Sequence, residues 1–214
     1  MKKNNISFKS IFQKTAKYFF DFLVVFIGVF LAFWLNSRKE EQNKIDQQTQ
    51  IYRAIYTDLK SFYGSGRVEN PNGFIIFFTD CKNELDSLVA IKKVPPYVQF
   101  TGDYWQLEII NSLLMSGQLK DLDPDMLRAL VQFNTAHQNF LGEIEGFNHD
   151  YVAYITQEYD KGLDNLYQPE SNQLKETSKI PLTRLNTIIE FAESLVPAAK
   201  VVTIELNEEF QFEK

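Results

Sequence analysis

The sequence is short of the residues on which chemistry most often depends. It has one cysteine, Cys81, and two histidines, His137 and His149. A single thiol excludes an internal disulfide and a cysteine-based zinc site, and it permits an oxidising compartment without demanding one. Nine glycines and seven prolines in 214 residues are too few for collagen-like or low-complexity character. With 44% hydrophobic and 23% charged residues, the composition also argues against global disorder. No glycine-rich phosphate loop, H-E-x-x-H zinc helix or C-x-x-C-H haem site occurs. Gly64-Ser65-Gly66 lacks the G-x-S-x-G frame and follows a helical pattern, so it reads as a linker. Glu145 and His149 are one helical turn apart with Asp150 adjacent, but a closed metal site wants more ligands. They read as the solvated face of a helix. No catalytic, cofactor-binding or metal-ligating residue is assigned, and no enzyme activity is expected.

What the sequence has in excess is phenylalanine, 19 residues, of which Phe8, Phe12, Phe19, Phe20, Phe22, Phe26, Phe30 and Phe33 precede position 34. The early group marks an apolar run, YFFDFLVVFIGVFLAFWL, residues 18–35, whose one charge is Asp21. As a helix it would reach about 27 Å, the thickness of a hydrocarbon core. No A-x-A cleavage pattern follows it, so an uncleaved transmembrane helix over residues 18–36 is expected. Tyr18 and Trp34 fall where amphipathic rings meet the two interfaces. Lys2, Lys3, Lys9, Lys14 and Lys17 precede the span, and Arg38, Lys39 and Lys44 follow it among acids. This bias keeps the N-terminal tail, residues 1–17, in the cytoplasm and exports the rest. The part beyond the span carries 17 Lys and Arg against 27 Asp and Glu, a net −10, which disfavours nucleic acid and anionic head groups as partners.

The span has two faces. Phe19, Phe22, Phe26, Phe30 and Phe33 form one stripe, and Asp21, Val25, Gly28 and Ala32 lie opposite, since each residue turns about 100°. Gly28 and Ala32 make a small-xxx-small step that permits close backbone approach. Either this second face meets another helix while the Phe side meets lipid, or Asp21 reaches interfacial water and Gly28 is incidental.

Beyond the span the helical pattern continues through residues 37–63, with Ile45, Ile51, Ile55, Leu59 and Phe62 as its apolar series. Asn70-Pro71 is an N-cap with Pro at N1. Phe74, Phe77, Phe78, Cys81, Leu85, Leu88 and Val89 predict a helix to Lys92, stopped by Pro95 and Pro96, with Cys81 a buried, inert thiol. A capping box, Asp103 with Gln106, predicts a short helix that ends at Gly117. Asp123-Pro124 opens a long helix of about 40 residues, in which Phe133, Phe140, Phe147 and Tyr151 read as bundle core. Gly142 and Gly146 either bend it or admit a close neighbour. Residues 168–179 read as a polar loop, and Pro181 opens a last helix that ends near Pro197. The tail, residues 198–214, is ambiguous between helix and strand. Residues 64–197 thus complete an antiparallel helical bundle, and the fold class is all-α.

Two stretches together carry a likeness. One is Asp21 followed by LVVFIGVFLAFWLN; the other is Tyr104-Trp105-Gln106-Leu107 leading into LLMSGQLKDL and DPDMLRALVQF. In order and spacing they resemble a family of small bacterial single-pass membrane proteins of unknown function. Asp21 stands where that family usually has Glu, and Leu35-Asn36-Ser37 replaces the more common Asn-Asn-Trp. The resemblance implies a membrane-anchored helical extracytoplasmic domain and brings no catalytic residues. It directs attention to the Ser116-Gly117-Gln118-Leu119 turn, whose structural role would be a helix cap. The expectation is a non-enzymatic bacterial inner-membrane protein with a periplasmic bundle. Its partners would be lipid and, through the span, another membrane protein or a second copy. The alternative is a membrane-anchored sensor or small-ligand module.

Overall fold

A computed structural model describes residues 8–64, 73–101, 105–117, 119 and 122–213, with side chains from residue 24 onward. Among these residues the fold is all-helical. The elements are α1 (Phe8–Gly64), α2 (Gly73–Ala90), α3 (Glu108–Ser116), α4 (Pro124–Tyr151), a π-helical turn (Val152–Thr156), α5 (Gln157–Tyr159), a 3-10 turn (Leu163–Leu166) and α6 (Glu176–Phe210). One isolated antiparallel bridge joins Tyr167 to Leu174. No helix among the described residues is long and apolar enough to cross a membrane. The expected span begins at Tyr18, and the side chains of residues 18–23 lie outside the described set. The chain divides into two units, Met1–Thr49 and Gln50–Lys214.

In the first unit, every residue from 24 to 47 is exposed. This stretch has no proline, and polar pairs one turn apart support the helix beyond the apolar run. The Asn36 amide donates to Glu40 at 2.7 Å, and that of Gln42 donates to Asp46 at 2.9 Å.

The second unit holds the core. Within it α1 buries Tyr52, Ile55, Tyr56, Leu59 and Phe62, a stripe at helical spacing, whereas the expected Ile45 is exposed. The segment at residues 73–79 is helix, as its continued spacing requires, and its Asn70-Pro71 cap lies outside the described residues. α2 stops before the two prolines. Lys92 takes a left-handed φ of 54°, and the Lys93 N–H returns to Leu88 O at 2.8 Å, closing the last turn.

Two starts and one stop differ from expectation. α3 begins at Glu108 after Leu107, which offers no side-chain cap, so Gln106 precedes the helix; Asp103 is not among the described residues. Its cap comes from another helix: the Asp58 carboxylate accepts the Ile110 N–H at 2.9 Å. α6 begins at Glu176, five residues before Pro181, and it runs through Pro197 to Phe210. Each proline deletes one backbone hydrogen bond. Burial outweighs the loss: Pro181, Val196, Ala199, Thr203 and Leu206 all lie on the inward face. The expected loop at 168–179 shrinks accordingly.

Asp123-Pro124 opens α4 as expected, with the Asp123 carboxylate accepting the Asp125 and Met126 N–H groups at 2.9 and 3.1 Å. Partner order along the helices gives their directions. Ser178 meets Tyr154, and Arg184 meets Asp150 and Glu143, so α6 runs antiparallel to α4. Tyr52 meets the Asp123 N–H and Phe62 meets Phe133, so the second half of α1 runs parallel to α4.

Candidate functional site

Of the four residues proposed for the packing face of the apolar helix, Val25, Gly28 and Ala32 are exposed, and the Asp21 side chain lies outside the described residues. A Cβ added at Gly28 would meet nothing within 4 Å. On the other face Phe26, Phe30 and Phe33 are exposed as well, with Phe26 and Phe30 stacked at 6.5 Å. Among the described residues, the side chains on both faces of this helix are thus exposed over residues 24–35. At its end the Arg38 guanidinium lies over the Trp34 ring, 4.6 Å from its centre.

The later Phe residues do something different. Phe74, Phe78, Phe100, Trp105, Phe140 and Phe147 interlock in one cluster, with ring centres 4.7 Å apart for Phe100–Phe147 and 5.0 Å for Phe74–Phe140 and Phe78–Trp105. The rings touch at tilted and edge-on angles, which their quadrupoles favour. The series Phe133, Phe140, Phe147 and Tyr151 is buried in this core, as its spacing predicts.

The two histidines part company. His149 is exposed and its Nδ1 lies 3.4 Å from Asp150, a long contact at the edge of hydrogen bonding. His137 is fully buried between Phe62 and Phe140, and its Nε2 lies 2.6 Å from Trp105 O. Burial lowers its pKa against that hydrogen bond, so it stays neutral. Among the described residues no group of three or more His, Cys, Asp or Glu could hold a metal. Cys81 is half-buried, and burial, then the charge of Glu84, pushes its pKa up to about 11. A thiol that stays protonated is a poor nucleophile.

Asp150 has a structural partner that spacing did not reveal. Arg184 of α6 donates from Nε to Asp150 at 2.8 Å and from Nη1 to Glu143 at 2.6 Å. Gly146 makes this possible, since a Cβ there would stand 2.7 Å from Arg184 Nη1. Gly146 thus admits a close neighbour, and Gly142 has nothing within 4 Å. The carboxylates hold the guanidinium protonated, with Asp150 the larger influence. Arg184 and Glu143 also line an open groove of 480 Å3 with Glu176, Lys179, Thr183 and Thr187.

α4 also pins the connection after α2. The Asn148 amide binds the Phe100 backbone twice, accepting from its N–H at 2.8 Å and donating to its carbonyl at 2.7 Å. The Tyr151 hydroxyl donates to Pro95 O at 2.8 Å and the Thr156 hydroxyl to Pro96 O at 2.7 Å. Thr156 sits in the π-helical turn that follows α4.

At the Ser116–Leu119 turn, Gly117 has a left-handed φ of 68° and caps α3, while Leu119 and Leu122 are buried; Gln118 lies outside the described residues. The turn is built as a cap, and Met115 beside it is exposed. No family model matches the chain, and no curated protein or solved structure matches it.

Proposed function

We propose that this protein is a non-enzymatic, single-pass bacterial inner-membrane protein whose N-terminal helix anchors a helical periplasmic domain. In this reading it serves as a scaffold or accessory subunit of an envelope assembly through helix contacts. One observation carries it: over residues 24–35, an almost wholly apolar helical stretch, every side chain is exposed. Water does not tolerate such a surface, since burial of each large apolar side chain is worth about 1.5–3 kcal/mol. Lipid on the Phe side and a second helix on the Asp21, Val25, Gly28 and Ala32 side would cover it. The continuous helix from Phe8 and the Trp34–Arg38 pair support the same reading. The five lysines before the apolar run support a cytoplasmic N-terminus.

Fractionation tests the anchor, and a C-terminal phosphatase fusion tests the orientation. The chain should stay in the membrane pellet after alkaline carbonate extraction, and the fusion should be active. Release into the soluble fraction overturns the anchor, and an inactive fusion overturns the periplasmic assignment. Gly28→Ile tests the packing face: in-cell crosslinked species should be lost, and their persistence removes the association through this face.

A further inference from the structure

Among the described residues, two buried acceptors in α4 have no hydrogen-bond partner, Asn134 Oδ1 and His137 Nδ1. The His137 ring is fully buried, with Phe62 edge-on at 5.4 Å and Phe140 tilted at 6.3 Å. Its Nε2 faces the Trp105 carbonyl, which can only accept, so the proton sits on Nε2. Nδ1 is then a bare lone pair. Asn134 is three residues before it, and residues so placed share a helix face with Cβ atoms about 5–6 Å apart. Two neighbouring acceptors cannot satisfy one another. Each forfeits a hydrogen bond it had in water unless a donor is supplied. A molecule that donates twice from one atom satisfies both, and buried water does this where two or more polar groups converge.

We infer that Asn134 and His137 form an internal site for one small molecule that donates two hydrogen bonds, and that water is its occupant. The site would join α4 to Trp105, just ahead of α3, since the same imidazole binds Trp105 O through its other nitrogen.

The full chain, purified in detergent with 15N-labelled histidine, provides the test. His149→Asn removes the second histidine signal and leaves that of His137. The expected spectrum has a protonated Nε2 and an Nδ1 shifted upfield of an unbonded imidazole nitrogen. Asn134→Leu should move Nδ1 back toward the unbonded value. A crystal structure of the full chain at a resolution that places ordered water should show one water within hydrogen-bond distance of both acceptors. An unbonded Nδ1 in the parent chain overturns the site. So does an Asn134 amide turned to donate directly to Nδ1. An Nδ1 shift unaffected by Asn134→Leu removes Asn134 from it. The spectrum and crystal structure of the parent chain decide the matter even where the Leu variant does not fold.

Discussion

The carboxylate of Asp58 in α1 accepts the backbone N–H of Ile110 at 2.9 Å, and Ile110 is the third residue of α3, 52 positions away in sequence. A cap that a local side chain usually supplies comes here from a different helix. Asp58→Ala removes the acceptor and leaves a buried N–H unpaired, at a cost of about 1–2 kcal/mol. Asp58→Asn keeps an oxygen in the same place. Urea unfolding should rank Ala well below both Asp and Asn at pH 7.

The same residue gives the bundle a pH dependence. Burial raises the Asp58 pKa above its usual 3.8, with the Glu108 charge adding to the rise and the Ile110 and Ile109 N–H groups opposing it. A carboxyl whose pKa rises on folding binds its proton more tightly in the folded chain. Its contribution is therefore full below the unfolded pKa and is lost as pH climbs through the folded one. The stability of the parent chain relative to Asp58→Asn should fall between pH 3.8 and neutrality. A difference that is flat over this window contradicts the assignment.

Gly142 and Gly146 are one turn apart in α4 but should answer differently to alanine. At Gly142 a methyl meets nothing, so Gly142→Ala should stabilise by about 0.5–1 kcal/mol through helix propensity. At Gly146 the methyl drives into Arg184, which Asp150 and Glu143 hold in place. Gly146→Ala should lose that gain and more. In an Arg184→Ala background the obstacle is gone, and Gly146→Ala should recover most of the propensity gain. A double-mutant cycle from thermal unfolding measures the coupling.

These contrasts explain what could be read ahead of the fold. Asp123-Pro124 was legible because cap, proline and first turn are neighbours in sequence, and Gly117 because its left-handed φ is a local demand. The Phe140, Phe147 and Tyr151 stripe was legible because helical period alone puts it inward. The start of α3 was not, since its cap is Asp58. Pro181 and Pro197 misled because burial along α6 outweighs a local breaking signal. The Arg184 bridge was hidden because Asp150 and Glu143 meet it across 34 and 41 residues. The Gly28 and Ala32 step was plain in the spacing, but nothing within the described chain covers it.

Cys81 reports on the second unit without perturbing it. A pKa pushed from 9.0 to about 11 leaves roughly 100-fold less thiolate near neutral pH. Maleimide labelling at pH 7.5 should be slow in the native chain and should accelerate on denaturation by at least that factor. Equal rates in the two states would place the thiol in a more polar setting than the core contacts allow.

The C-terminal residues turn back onto α1, and this return should be worth a measurable part of the stability. After α6, Gln211 adopts a left-handed φ of 51°, and the Glu213 N–H donates to Asn207 Oδ1 at 2.8 Å. The reversal stacks Phe210 on Tyr52 at 4.9 Å and sets Phe212 against Tyr56 at 5.5 Å, with Arg53 over the Phe212 ring. Glu213 pairs with Lys60 at the surface. Two aromatic contacts are worth roughly 0.5–1.5 kcal/mol each, so removing residues 210–214 should cost on the order of 2 kcal/mol. Glu213→Gln should leave the unfolding midpoint almost unchanged, because exposed ion pairs contribute little. Phe210→Ala with Phe212→Ala should reproduce most of the truncation. If Glu213→Gln alone did so, the return would be held by charge, and its effect would then vanish in high salt.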